Sequence, residues 1–172
     1  MDSTYLKLAH QAGLTEEENT AVVAKSIQEA IDYKFKLIMI RPEMVSMARR
    51  MIDAASSSVL IGTVIDFPQG TSSKEVKCKE ALAACANGAD ELDYVVNYVA
   101  FKKGEIETVK NEVRVCTILG TDNKKAVKWI IETAALTDDE ITAITSIIRD
   151  VVTAHLPEEL YSSVFIKSST GE

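Results

Sequence analysis

Short apolar runs alternate along this chain with longer segments of helical periodicity, and this alternation constrains the fold more than any other feature. The runs are about five to eight residues long, the length expected of strands buried on both faces of a parallel sheet. The predicted strands cover residues 35–41, 59–66, 91–97, 126–132 and 163–167, with a short additional strand at residues 2–6. Repeated βα units of this kind form either an open doubly wound sheet or a (β/α)₈ barrel.

Three helices carry a capping box, in which a hydroxyl residue is followed three positions later by an acid. The three boxes are Thr15-Glu16-Glu17-Glu18, Ser72-Ser73-Lys74-Glu75 and Thr137-Asp138-Asp139-Glu140. They predict helices that begin near residues 16, 73 and 138. The second of these is expected to end at Gly88, Pro42 is expected to open a further helix, and residues 106–119 form an amphipathic helix that ends before Gly120.

The cysteines do not indicate a metal site or a disulfide framework. The chain has three cysteines and two histidines, without a CxxC motif, which is little material for either. Cys78, Leu82 and Cys85 follow one another at i, i+4 and i+7 and therefore share one face of a helix. We interpret these cysteines as small core residues, and we expect no bound metal.

Composition favours one globular domain over residues 1–172. Of the 172 residues, 47% are hydrophobic and 26% are charged, which is enough to bury one core. The net charge of -7 and the lack of a Lys/Arg stripe argue against binding to nucleic acid. No run approaches the roughly 18 to 20 apolar residues of a membrane span, and the N-terminus does not resemble an export signal. The expected location is the cytoplasm, without a membrane partner.

Polar residues near the carboxyl ends of the predicted strands favour the barrel over the open sheet. Asp93 and Asn97 share a strand face, as do Lys128 and Glu132, and Lys167 ends the last strand. Such residues line the mouth of a barrel. A Rossmann sheet would carry a Gly-rich first turn, and the chain has neither GxGxxG nor GxxxxGK[ST].

Lys167 is the strongest candidate for chemistry. It ends an apolar strand and is followed by the hydroxyl-rich turn Ser168-Ser169-Thr170-Gly171. Partial burial and a nearby cation favour the neutral amine, which is the form of lysine that attacks a carbonyl group. The hydroxyls and amides of the turn suit a phosphate. The alternative is an ordinary lysine whose ammonium reaches solvent from a strand end.

Asp93 and Lys128 also lie within predicted strands, where a charged side chain needs a partner. Two lysines and one aspartate that converge in a barrel supply a nucleophilic amine, a cation that activates it and a carboxylate for proton transfer. A structural buried ion pair is the alternative interpretation. His10 and His155 fall outside the strand ends, and we interpret them as surface or packing residues.

The segment Phe165-Ile166-Lys167-Ser168-Ser169-Thr170-Gly171 closely resembles the Schiff-base strand of the deoxyribose-phosphate aldolase family. Four other segments resemble that family in the same order along the chain, namely Asp2-Ser3-Thr4-Tyr5-Leu6-Lys7, Val64-Ile65-Asp66-Phe67-Pro68-Gln69-Gly70, Asn87-Gly88-Ala89-Asp90-Glu91-Leu92-Asp93 and Lys128-Trp129-Ile130-Ile131-Glu132-Thr133. The resemblance implies a class I aldolase on a (β/α)₈ barrel. It also implies cleavage of 2-deoxy-D-ribose 5-phosphate to D-glyceraldehyde 3-phosphate and acetaldehyde, a step of deoxyribonucleotide catabolism, without a metal or another cofactor.

The same resemblance assigns roles to individual residues. Lys167 would be the Schiff-base lysine, Asp93 the acid that relays protons, and Lys128 a further catalytic residue. The positions expected to contact the substrate, a phosphorylated sugar or aldehyde, are Asp2, Thr170 and Gly171.

About six of the family's eight βα units have a counterpart in this chain. The family's second essential lysine, on the seventh strand, and the Gly-rich loops after strands seven and eight have none. The sequence therefore predicts an incomplete aldolase whose open strand edges favour association, including with further copies of itself. One alternative is an inactive, naturally short paralogue that serves as an interaction or assembly subunit, and another is a different Schiff-base barrel enzyme of the transaldolase kind.

Overall fold

The computed structural model of the protein describes residues 1–168. The chain divides into two compact units. One unit consists of Met1–Val64 with Ala84–Glu91, and the other of Ile65–Ala83 with the residues from Leu92 on. The single domain over residues 1–172 stays a prediction.

The first unit contains three parallel strands in the order β1, β2, β3. These strands are β1 (Asp2–Tyr5), β2 (Leu37–Ile40) and β3 (Leu60–Ile65), of which the last residue, Ile65, belongs to the second unit. Helices connect them, as parallel pairing requires. The connecting helices are α1 (Ala9–Ala12) and α2 (Glu16–Asp32) before β2, and α3 (Val45–Ala54) before β3.

An apolar strand and the apolar face of a helix form the core of the first unit. All four residues of β2 are buried, as expected for a central parallel strand. Helix α2 buries Val23, Ile27 and Ala30, which follow one another at i, i+4 and i+7. Its start is the predicted capping box, since Thr15 Oγ1 accepts from the Glu18 amide at 3.2 Å and Glu18 accepts from the Thr15 amide at 2.8 Å.

The second unit contains three strands in the order β4, β5, β6. They are β4 (Glu91–Val95), β5 (Ala126–Ile130) and β6 (Val164–Lys167), and β6 pairs with β5 in parallel from Val127 opposite Val164. The helices that accompany these strands are α4 (Lys74–Ala86), α5 (Tyr98–Lys102), α6 (Ile106–Asp122) and α7 (Asp138–His155). The predicted strands and the three helix starts are confirmed within about three residues at either end.

Aromatic packing fills the interior of the second unit. The rings of Tyr94 and Trp129 stack with their centroids 5.1 Å apart. The indole N–H of Trp129 donates to Thr117 Oγ1 at 2.9 Å, which satisfies the one polar group of that ring. Every residue of β4 is buried, so Asp93 lies in a part of the strand from which water is excluded.

The prediction that the amphipathic helix ends before Gly120 is wrong. Helix α6 continues through Gly120 to Asp122. A Cβ atom at Gly120 would overlap the side chain of Val127. The glycine therefore allows α6 to approach β5 closely and does not terminate the helix.

The face of α4 that packs inward differs from the predicted one. Leu82 is 48% exposed, and the buried residues of this helix are Lys77, Ala81 and Ala84. The two cysteines of the helix flank the buried stripe and are half-buried. The buried face therefore lies to one side of the predicted face of Cys78, Leu82 and Cys85. The difference arises because Lys77, whose charge predicts exposure to solvent, points inward.

None of the helices between residues 1 and 168 combines the length and apolar composition that crossing a bilayer requires. Within the same range no three side chains of His, Cys, Asp or Glu are grouped so as to hold a metal ion.

Candidate active site

A salt bridge between Asp93 and Lys167 joins the middle of β4 to the end of β6. Lys167 Nζ donates to Asp93 Oδ2 over 3.0 Å. The Asp93 side chain is fully buried, whereas the Lys167 side chain is 30% exposed. The carboxylate is thus shielded from water, whereas the lysine side chain is partly exposed.

Backbone pairing fixes the position of Lys167. Its register partner on β5 is Ile130, and its carbonyl oxygen accepts from the amide of Ile131 at 3.0 Å. One residue on, the amide of Thr133 donates to the Ser168 carbonyl at 3.2 Å. Backbone hydrogen bonds between the two segments continue beyond Lys167 and hold its Cα in place. The side chain therefore extends from an ordered strand end.

Lys128 lies in β5, the strand between those that carry Asp93 and Lys167, and it is half-buried. Its register partner is Phe165. Because side chains alternate with a period of two, Phe165 and Lys167 share one face of β6, and Lys128 lies on the corresponding face of β5. The structure therefore brings Asp93 and Lys167 into contact and places Lys128 on the same face of the sheet.

The remaining predicted residues are not brought into this group. Asp2 is the first residue of β1, is exposed, and belongs to the first unit. Thr170 and Gly171 lie outside the described residues. Their predicted contacts with substrate stay predictions.

A buried lysine that the sequence analysis did not single out lies in the same unit. Lys77 is completely buried, and its ammonium donates to the carbonyl oxygens of Gly70 at 2.9 Å and Val95 at 2.7 Å. It also donates to Glu112 Oε1 and lies 3.5 Å from Asp66 Oδ2. These acceptors satisfy the charge of a lysine that would otherwise be costly to bury.

Glu112 completes this cluster from α6. Its second carboxylate oxygen accepts from the amide of Asn97 at 3.0 Å. Burial raises the pKa of Glu112, and the attraction of the Lys77 ammonium opposes this shift only in part. The pair is therefore held by specific hydrogen bonds at a buried position where charge is disfavoured.

One sequence pattern does mark Lys77. It stands at i relative to Ala81 at i+4 and Ala84 at i+7, so a lysine continues a stripe of alanines on α4. A charged residue within a small-residue stripe indicates either a solvated end of the helix or a buried ion pair. The acceptors of Lys77 come from segments distant in sequence. Only the folded structure therefore shows that Lys77 belongs to a buried ion pair.

No family model matches the chain. It is similar to curated proteins named deoxyribose-phosphate aldolase. It is 38% identical to that of Metamycoplasma arthritidis over 97% of this chain and 70% of the relative. It is 35% identical to that of Staphylococcus saprophyticus over the same shares of the two chains. The chain thus spans 70% of the length of these relatives.

Solved structures of aldolases share the fold. The chain superposes on QR15, an aldolase, with a TM-score of 0.74 and 29% identity over 99% of this chain and 66% of the other. It superposes on the deoxyribose phosphate aldolase of Aeropyrum pernix, described as a unique tetramer, with a TM-score of 0.74 and 26% identity over 99% and 62%. These similarities confirm the predicted fold, an α/β chain with six βα units of a barrel. The chain belongs to the deoxyribose-phosphate aldolase family.

Proposed function

We propose that this chain is a class I aldolase that cleaves 2-deoxy-D-ribose 5-phosphate into D-glyceraldehyde 3-phosphate and acetaldehyde through a Schiff base on Lys167. The observation that carries the proposal is the 3.0 Å contact between Lys167 Nζ and the buried carboxylate of Asp93. An accessible amine beside a shielded proton acceptor is the arrangement that imine chemistry requires. The substrate is the one for which the relatives are named.

The reaction begins at the amine. Neutral Lys167 adds to the C1 aldehyde of the open-chain sugar phosphate, and the carbinolamine loses water to form an iminium. A base removes the proton of the C3 hydroxyl, the C2–C3 bond breaks, and its electron pair passes into the iminium to give an enamine. Glyceraldehyde 3-phosphate leaves with a new carbonyl group at the former C3. Protonation of the enamine at C2 and hydrolysis of the imine release acetaldehyde and restore the amine.

Asp93 is the proposed proton carrier of this sequence. It contacts Lys167 Nζ directly, so it is placed to take the proton that the amine must lose before attack. Its complete burial keeps bulk water from competing for that proton. Proton transfer by a positioned side chain typically contributes about 10² to 10⁴ in rate.

Lys128 is proposed as the cation that favours the neutral form of Lys167. It lies on the same face of the sheet, one strand away. Thr170 and Gly171 are proposed to contact the phosphate, and Asp2 to contact the substrate, as the family resemblance implies.

Trapping with borohydride tests the proposal. Acetaldehyde condenses with the reactive amine, and borohydride reduces the imine to a stable N-ethyl group. Peptide mass mapping of the treated 172-residue protein should locate this group on Lys167. The Lys167→Arg variant should lose the label and keep its fold, because the guanidinium stays protonated and does not attack the aldehyde.

Lys103→Arg is the matched control, since Lys103 is exposed and lies outside the site. This variant should be labelled at Lys167 like the wild type. A label that is distributed over surface lysines, or one that persists in Lys167→Arg at the wild-type level, would overturn the assignment.

One observation favours a second candidate function, an inactive assembly subunit. Phe165 and Ile166 of β6 are 47% and 39% exposed beside a groove of about 480 Å³. Apolar exposure on this scale suits an interface with another polypeptide, including a further copy of the chain. A folded protein that assembles but acquires no label on Lys167 would support this candidate over the aldolase.

A further inference from the structure

The buried ammonium of Lys77 connects three segments of the second unit. Two of its acceptors, Asp66 Oδ2 and the Gly70 carbonyl, belong to the segment after β3. A third is the carbonyl of Val95 at the end of β4, and the fourth is Glu112 of α6. A single side chain thus joins the segment of residues 66–70, the end of β4 and helix α6 within the second unit.

The end of β4 is held at two points by this cluster. The Lys77 ammonium binds the Val95 carbonyl at 2.7 Å, and Glu112 Oε2 binds the Asn97 amide at 3.0 Å. Asp93 lies two residues before Val95 on the same strand. Because Asp93 and Val95 belong to the same strand, a displacement of this strand end would shift the Asp93 carboxylate relative to Lys167, whose own position is set by pairing with β5.

General stability is a weak reason for such a pair. Two charges taken out of water lose solvation, and apolar residues of similar volume often serve a core at least as well. The Lys77 side chain is 0% exposed and that of Glu112 is 5% exposed, so both bear this cost. Unlike an apolar contact, the pair orients the carbonyl of Val95, the last residue of β4, and the amide of Asn97, two residues beyond it.

We propose that Lys77 and Glu112 are positioning residues of the aldolase site, which hold the carboxyl end of β4 so that Asp93 stays in hydrogen-bond contact with Lys167. The inference rests on the proposed function, because it assumes that Lys167 is the reacting amine. It adds two residues that do not touch the substrate and act through Asp93.

The test measures labelling of Lys167 by acetaldehyde and borohydride in Lys77→Met, Glu112→Gln and the double variant Lys77→Met/Glu112→Leu. The double variant replaces the pair with apolar side chains and removes both of its buried charges, while the Asp66 carboxylate keeps its hydrogen bonds from the amide and hydroxyl of Ser72. It is expected to fold even where a single variant does not. Lys110→Met is the matched control, because Lys110 forms an exposed ion pair with Glu107 on the same helix, α6. Hydrogen exchange of the amides at residues 95–97 is measured alongside.

We expect the labelling rate at saturating acetaldehyde to fall about tenfold or more in the folded variants, since small misplacements of reacting groups have effects of this size. The half-saturating acetaldehyde concentration should change by less than about twofold, and exchange at residues 95–97 should accelerate. The control should match the wild type in all three measurements.

Each other outcome has a distinct meaning. A folded double variant with the wild-type labelling rate would overturn the positioning role and leave the Schiff base on Lys167 intact. A loss of labelling that follows only the loss of folded protein, with unchanged exchange at residues 95–97 in the folded fraction, would also overturn it. If the wild type itself acquires no label on Lys167, the proposed function fails, and this role fails with it.

Discussion

Lys34 and Lys124 each follow a helix with a left-handed backbone, with φ values of 53° and 58°. In both cases the next amide closes the helix end, from Phe35 to the Ala30 carbonyl at 2.9 Å and from Lys125 to the Gly120 carbonyl at 3.0 Å. This is the helix-ending arrangement that glycine adopts without strain. A lysine at such a position therefore lowers stability.

Lys34→Gly should stabilise the protein by about 0.5–1 kcal/mol, because glycine removes the steric cost of the left-handed conformation. Urea unfolding followed by circular dichroism measures the change. Lys36→Gly is the control, since Lys36 is also exposed but is not left-handed, and it should give no gain. Equal effects at the two positions would contradict the explanation.

Lys167 and Lys77 show what a sequence can reveal about single residues. Lys167 is marked locally, because it ends an apolar run and precedes a hydroxyl-rich turn. Its contact with Asp93 joins residues 74 positions apart, and no local pattern specifies that contact. Lys77 is marked only by its place in a stripe of alanines, and that pattern does not show its burial, since its acceptors at residues 70, 95 and 112 come together only in the fold.

At the scale of elements, the starts of helices α2 and α7 follow directly from their capping boxes. Thr137 Oγ1 accepts from the Glu140 amide at 3.3 Å, and Glu140 accepts from the Thr137 amide at 2.8 Å. Short helices lack such patterns, and no sequence signal predicts α1 and α5, which have 4 and 5 residues. The sequence predicts a helix end at Gly120 because it does not show that Val127 packs against this glycine.

Glu140 should make stability depend on pH at the start of α7. The Thr137 amide, and secondarily Lys102, lower the pKa of Glu140 from its ordinary value of 4.5. A carboxyl whose pKa is lower in the folded state stabilises the fold above the unfolded pKa, and this contribution is lost as pH falls through the folded pKa. The wild type should therefore exceed Glu140→Gln in stability at pH 7, and the difference should shrink below pH 4.5.

Thermal unfolding of both proteins between neutral and acidic pH measures this difference. Asp139→Asn, which alters an exposed acid of the same first turn, is the control. A gap between the wild type and Glu140→Gln that stays constant through the acidic range would show that the Glu140 carboxylate is not the cause.

At the scale of the whole molecule, an apolar surface lies along β6, where Phe165 and Ile166 are exposed. Among the described strands, β6 is last in the sheet order and pairs with β5. The groove beside it is lined by Ile148 and Val152 of α7 together with residues of β6. Exposed strand edges with apolar side chains favour association between molecules.

Ile166→Glu should therefore reduce self-association of the 172-residue protein. A charge at Ile166 disfavours burial of this residue against a second molecule. Sedimentation velocity measures the fraction of larger species. Leu82→Glu, which places the same charge at another exposed apolar residue, is the control, and an equal loss of association in the two variants would argue against a specific role of β6.

The central claim is that Lys167 and Asp93 form one reacting pair, and the rate of borohydride-trapped ethylation at Lys167 in the wild type and in Asp93→Asn tests it most directly. If Asp93 carries the protons of the imine chemistry, the folded Asp93→Asn protein should label Lys167 about 10² to 10⁴ times more slowly than the wild type. Wild-type labelling of Lys167 in folded Asp93→Asn, or labelling of the wild type at another lysine, would contradict the claim.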